Sequence, residues 1–220
     1  MNFLALAQRV WVECGLSGSG PTAVTSQTGL QLYVVNWTAD AWTEIQALAD
    51  WDFLRSQIAF NTTNGQRTYN SSDDADIATI RKWDLNYAKI TSGSTIYPLY
   101  WMPWTQFREI YEYQTQPTAR PNFICVDPDG KLRFDTTPDA TYAVTLEGFE
   151  NPTVLAATGD TPVIPSADHM VIVWRAVMTY ASRESAPELY QFAQMNYNKA
   201  IQRLYNTQLQ QISPQIEALV

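Results

Sequence analysis

The closest cluster of carboxylates in this chain is Asp73, Asp74 and Asp76, and it is the first group of residues that could hold a hard cation. A calcium loop of the EF type also needs a turn glycine and a distal bidentate glutamate at fixed offsets, and both are missing here. The same side chains suit a helix start, where negative charge complements exposed amides, or a solvated loop. Asp127 and Asp129 belong to the turn sequence Asp127–Gly130, where aspartates bond their own backbone. The stretch Gly15–Gly20 has the glycines of a phosphate loop. It lacks the Lys-Ser/Thr pair that grips phosphate and magnesium, and it follows a helical pattern rather than a strand, so it reads as a flexible connection. His169, the one histidine, sits beside Asp168 at a helix start, and a catalytic dyad there would need a nucleophile that the sequence does not place. It reads as a helix-start or subunit-contact histidine. Cys14 and Cys125 lie far apart and outside any CxxC pattern, as buried thiols rather than zinc ligands or a disulfide framework. No catalytic residue, metal site or cofactor site is therefore expected.

Composition points away from classical nucleic-acid binding. The net charge is −8, whereas a protein that neutralises phosphates needs a basic footprint. An acidic wall can still serve DNA by repelling it and letting it slide. Only 16% of the 220 residues are charged, against about 25% in ordinary soluble domains, while 13% are aromatic. That combination marks interface cores, and it also suits an aromatic-rich core under a mildly polar surface. Residues 1–15 are too short for a membrane span, are interrupted by Gln8, Arg9 and Glu13, and lack a signal-peptide pattern. No membrane partner is expected.

The elements that must position these residues follow an α, β, α order. Phe3, Leu4, Ala7, Val10, Trp11 and Cys14 recur at helical spacing, with Gly15 as the stop. A second helix opens at Thr28, with Gln31 completing a capping box, and continues through Leu32, Val35, Ala39, Trp42, Ile45 and Ala49. Ser56–Phe60 reads as a strand, Asn64-Gly65 as a turn, and Leu85–Ile90 with Thr95–Trp101 as a hairpin. The segment around Ile77, Ile80 and Trp83 fits a short helix or a strand equally. A short helix carries Trp104, Phe107, Ile110 and Tyr111; Phe123–Val126 and Leu132–Asp135 form a hairpin; Tyr142–Phe149 is a further strand. Ser166 caps a helix whose Met170–Met178 is apolar on nearly every face, as a buried helix requires. Ser185 and Glu188 make another capping box, followed by the stripe Leu189, Ala193, Tyr197, Ala200 and Leu204.

Beyond Leu204 the stripe dissolves into glutamines, Pro214 breaks the helix, and Ile212, Ile216, Leu219 and Val220 leave an apolar end on a polar stem. Chain ends are usually polar and loose. The pattern fits a docking peptide or a tail folded back on its own core. The predicted class is α+β, with N- and C-terminal helices forming one layer around a β-rich middle. The expected divisions are a helical domain of residues 1–55 and 162–212, a β-rich insertion of 56–161, and a tail of 213–220.

Three stretches resemble phage head-to-tail adaptor and connector proteins, including the tail-tubular-A type. They are Asn2–Val10 with Glu13–Pro21; the helix bearing Trp37, Trp42 and Ile45 with its exit Ala49–Leu54; and Ser166–His169 through Trp174–Ala181 and Tyr190–Leu204. The likeness covers the helical ends well and the middle only by general pattern. It implies a ring of twelve copies below the portal protein, helices around the channel, the β part towards nozzle, neck or tail proteins, and double-stranded DNA passing without sequence-specific binding. It also implies a virion position at the head–tail junction, reached by assembly in the bacterial cytoplasm. The portal-docking residues it implies are Ile212, Pro214, Ile216, Leu219 and Val220. Two other readings of the residues are a carbohydrate- or receptor-binding module built on Tyr97, Tyr100, Trp101 and Trp104, and a small hydrolase with scattered residues.

Overall fold

In the computed structural model residues 1–209 are described. Helix α1 is Phe3–Glu13 and α2 is Gly29–Ala47. Four short or medium strands and one long one follow: β1 Arg55–Asn61, β2 Thr68–Tyr69, β3 Ile80–Ser92, β4 Thr95–Pro98 and β5 Tyr100–Trp101. Then come helix α3 (Trp104–Tyr111), strands β6 (Phe123–Val126), β7 (Leu132–Phe134) and β8 (Ala143–Glu150), and helices α4 (Met170–Arg183) and α5 (Pro187–Gln208). The order is helices, strands, helices, which makes the class α+β as expected.

The chain divides into two compact units. The first is Met1–Leu54 together with the described chain from Pro152 onward; the second is Arg55–Asn151.

In the first unit α4 is the central element and packs against α1, α2 and α5. Its Val171, Ile172, Val173, Ala176 and Val177 have no exposed surface, which explains a run that is apolar on nearly every face, with Arg175 paired to Glu44. The free amides at the start of α1 are satisfied by its own N-cap and by the loop that precedes α4. Asn2 accepts from the Ala5 N–H, and Phe3 N–H donates to the Asp160 carbonyl at 2.7 Å. The α1–α2 connection is not the flexible link its glycines suggested. Gln8 donates to the Pro21 carbonyl and Gln31 to the Gly20 carbonyl, both at 3.0 Å. Gly20, at φ +68°, lies against Trp11 so closely that an added Cβ would sit 3.0 Å from the indole.

All three capping signals of the sequence resolve differently. Thr28 occupies the N-cap of α2 without a side-chain bond, because Gln31 is engaged by Gly20. Ser166 does not cap; a 3-10 turn over Ser166–Asp168 leads into α4, with Asp168 N–H donating to the Pro165 carbonyl at 2.8 Å. Ser185 closes α4 instead of opening α5. At φ 53° it donates to the Ser182 carbonyl while Ala186 N–H donates to that of Ala181, the paired bonds of a Schellman C-cap.

The second unit is two four-stranded sheets, β1-β8-β3-β4 and β2-β7-β6-β5. Ile58 and Phe60 of β1, Val144 and Leu146 of β8, Ile90 of β3, Ile124 of β6, and Leu132 and Phe134 of β7 meet in one core, as the period-two alternation of facing sheets demands. The expected hairpin ends early. Gly93, at φ +59°, turns β3 into β4, but Pro98 closes β4. Buried Leu99 carries the chain across to the other sheet, where β5 runs parallel to β6.

Strand β3 leaves regular pairing with β8 twice. Arg81 is an extra residue between Ile80 and Lys82, and the five steps from Asp84 to Lys89 face only two, Glu147 to Thr145. Gly148 permits the first bulge. A Cβ there would lie 2.6 Å from Ile80 Cγ2 and 2.9 Å from the Lys82 carbonyl oxygen. Because backbone must move to admit it, Gly148→Ala is expected to cost about 1–3 kcal/mol by overpacking. Chemical denaturation checks this, and a loss below about 0.5 kcal/mol would show that β3 can shed the bulge.

Candidate interaction surfaces

The proposed docking residues Ile212, Pro214, Ile216, Leu219 and Val220 lie outside the described residues. What the structure gives is the root from which that segment continues. The end of α5 is fixed by buried Ile201 and Leu204 and by Arg203, whose Nε lies 2.6 Å from the Asp168 Oδ1. Tyr205 adds a ring contact at 5.0 Å to Trp51, a side chain with no exposed surface whose Nε1–H donates to the Ile45 carbonyl at 2.7 Å. The end of α5 is therefore held by two further parts of its own unit, the turn at Asp168 and the segment at Trp51.

His169 is not at a surface. Only 1% exposed, it donates from Nε2 to the Ile164 carbonyl at 3.2 Å, which leaves the Nδ1 lone pair facing the Met1 nitrogen at 2.6 Å. Burial, and then the positive charge at Met1, push this imidazole below its ordinary value of 6.5. The folded state thus keeps a neutral ring. As the pH falls below about 6.5 the unfolded chain takes up the proton first, so stability declines until the folded pKa is passed. Wild-type protein is expected to lose melting temperature between pH 7 and 5 more steeply than His169→Gln; parallel profiles would refute this.

The cysteines are inert packing groups: burial pushes both thiols to about 12, and neither is in a disulfide. Asp74 caps the 3-10 turn Ala75–Thr79 by accepting from the Asp76 N–H, and Asp73 accepts from the Asn70 N–H. These carboxylates therefore serve loop geometry, and among the described residues no group of three or more His, Cys, Asp or Glu side chains could hold a metal ion.

Two aromatic surfaces stand out. On the first unit, Tyr33 and Trp37 stack at 5.7 Å, and the Arg183 guanidinium lies 4.0 Å from the Tyr33 ring centre. On the second unit, helix α3 is fixed to its sheet by charge. Glu112 pairs with Arg67 at 2.9 Å and Arg133 at 3.0 Å, and Arg133 also pairs with Asp127 at 2.9 Å. Burial pulls the Asp127 carboxyl upward, but amides of Lys131 and Asp129 and the Arg133 guanidinium hold it below its ordinary 3.8. Arg133 also lies 5.5 Å from the Trp104 ring centre. Of the four aromatic residues considered from sequence, Trp101 and Trp104 come together in a cleft of about 420 Å³. Tyr97 packs against the core under Arg120 instead, and Tyr100 contacts Phe123. Trp83 joins the cleft, placed there by the bulged strand β3.

Helices from both chain ends pack as one bundle, a β sandwich is inserted between them in sequence, and each unit carries an aromatic surface. The family model of the SU10 adaptor proteins matches residues 1–217, and the chain belongs to that family, a family of phage head-to-tail adaptors. None of the curated proteins matches the chain.

Proposed function

We propose that this virion protein forms a ring on the portal, of twelve copies, and extends the DNA channel towards the tail. The observation that carries this reading is the adaptor-family match over nearly the whole chain. Residues 1–55 and 162–212 form the part that packs around the channel, residues 56–161 face the nozzle, neck or tail proteins, and residues 213–220 reach the portal. Docking uses Ile212, Pro214, Ile216, Leu219 and Val220. The role is assembly rather than catalysis, and it needs no cofactor. Ring contacts of this kind are heterologous, one surface meeting a different surface of the next copy, and aromatic faces with few charges suit them.

A net charge of −8 per copy keeps duplex DNA from sticking during passage, over a range limited by screening to about 8 Å in physiological salt. Assembly takes place in the bacterial cytoplasm and ends at the head–tail junction; among the described residues no helix is long and apolar enough to cross a membrane. Co-expression with the cognate portal protein, followed by electron microscopy, tests the proposal. A closed ring seated on the portal is expected, and a full-length monomer that ignores the portal would overturn it.

A further inference from the structure

We propose that the cleft of the second unit is a saccharide-binding site, taking a single pyranose unit of a neutral glycan. Three indoles line it: Trp83 from β3, Trp101 from β5 and Trp104 from the start of α3. Trp101 is 52% exposed and offers an open platform, while Trp83 and Trp104 are partly buried. Arg81, Asp84 and Asn86 supply the polar side, and Leu85 and Val126 the apolar floor. A pyranose presents the matching combination, an apolar C–H face for an aromatic ring and a rim of hydroxyls for a carboxylate and an amide. At about 420 Å³ the cleft lies within the size range of small-ligand sites.

The polar groups are pre-positioned. The Asp84 Oδ2 is held by Arg55 at 3.0 Å, and its Oδ1 accepts from the Asn86 side-chain amide at 2.8 Å. That bond uses a donor of Asn86 and leaves its carbonyl oxygen as an acceptor. The whole Asp84–Asn86 corner exists because β3 bulges from its ladder there, a device that re-aims side chains beside sites. Other ligand classes fit less well. A purely apolar ligand would cover the Asn86 carbonyl oxygen without giving it a donor. Single-stranded nucleic acid needs a positively charged groove along its backbone, and here a single arginine, Arg81, shares the lining with the Asp84 carboxylate.

This inference is independent of ring formation and is tested on the full-length protein free of the portal. Glucose, galactose, N-acetylglucosamine and cellobiose are titrated, with indole fluorescence and saturation-transfer NMR as readouts. At least one sugar is expected to bind in the millimolar range. Trp101→Ala is expected to weaken that binding at least tenfold, and Asn86→Ala severalfold, with unfolding midpoints near wild type. Tyr113→Ala, at a 73% exposed residue absent from the cleft lining, leaves it unchanged. Failure of all four sugars to bind overturns the proposal, and so does binding that survives both cleft substitutions.

Discussion

Deleting residues 212–220 is expected to abolish portal binding while the remaining protein keeps its unfolding midpoint within a few degrees. The reasoning starts at the root of the segment. Ile201, Leu204, Tyr205 and Arg203 fix the last turn of α5 through Trp51 and Asp168, and all of these contacts lie within the described residues. The helical unit thus has the means to keep α5 in place on its own. The deleted segment carries Ile212, Ile216, Leu219 and Val220, and burying an aliphatic side chain of this size contributes about 1.5–3 kcal/mol. Ordering a peptide consumes part of that gain. A ring multiplies whatever surplus each docked copy keeps through avidity. Ile216→Asp with Leu219→Asp in the full-length chain should reproduce the loss, because it charges the docking surface without shortening the protein. Pull-down on immobilised portal and differential scanning calorimetry read the two halves of the prediction. Undiminished docking would remove the tail from the interface. A collapse of the melting temperature would instead support the reading in which this segment covers its own core.

What the sequence reveals here depends on how local each cause is. Gly15 ends α1 because a left-handed residue terminates a helix whatever surrounds it, and Asp127–Gly130 turns β6 into β7 by bonds made within the turn. The apolar run of α4 was legible for the same kind of reason: a helix that is apolar on nearly every face has to be covered on most of its sides. The capping boxes failed where a distant partner competed. Gln31 could have reached back to its own helix start, yet the Gly20 carbonyl holds it, and Ser185 follows the needs of the helix before it rather than the one after.

The cleft was half legible for a related reason. Trp101 and Trp104 stand close in sequence and can be suspected of acting together, but Trp83 reaches them only through a bulge, and the bulge depends on a glycine 65 residues further along, in β8. No local pattern around Trp83 announces it. His169 shows the opposite limit. Its neighbours in sequence place it at a helix start, and only the fold shows it enclosed between Ile164 and Met1.

Trp51→Ala is expected to be the most damaging single substitution in the helical unit, at about 3–5 kcal/mol. Truncation would remove an indole with no exposed surface, together with its stacking on Phe53 at 5.8 Å and its contact with Tyr205 at 5.0 Å. It would also remove the donor to the Ile45 carbonyl, near the end of α2. Trp51→Phe separates these effects, since it restores much of the apolar volume but not the N–H. Its loss should stay near the net value of one buried hydrogen bond plus a small cavity, about 1–2 kcal/mol. Urea unfolding of both variants supplies the comparison. If the alanine variant lost less than about 2 kcal/mol, this side chain would not be the keystone between α2 and α5. The consequence for assembly follows from the same geometry. Tyr205 lies one turn from the end of α5, so a phenylalanine variant that remains folded presents residues 212–220 from a root close to wild type and should still bind the portal. An alanine variant that frees Tyr205 lets the end of α5 fray, and its portal affinity should fall even at temperatures where the rest of the unit is folded.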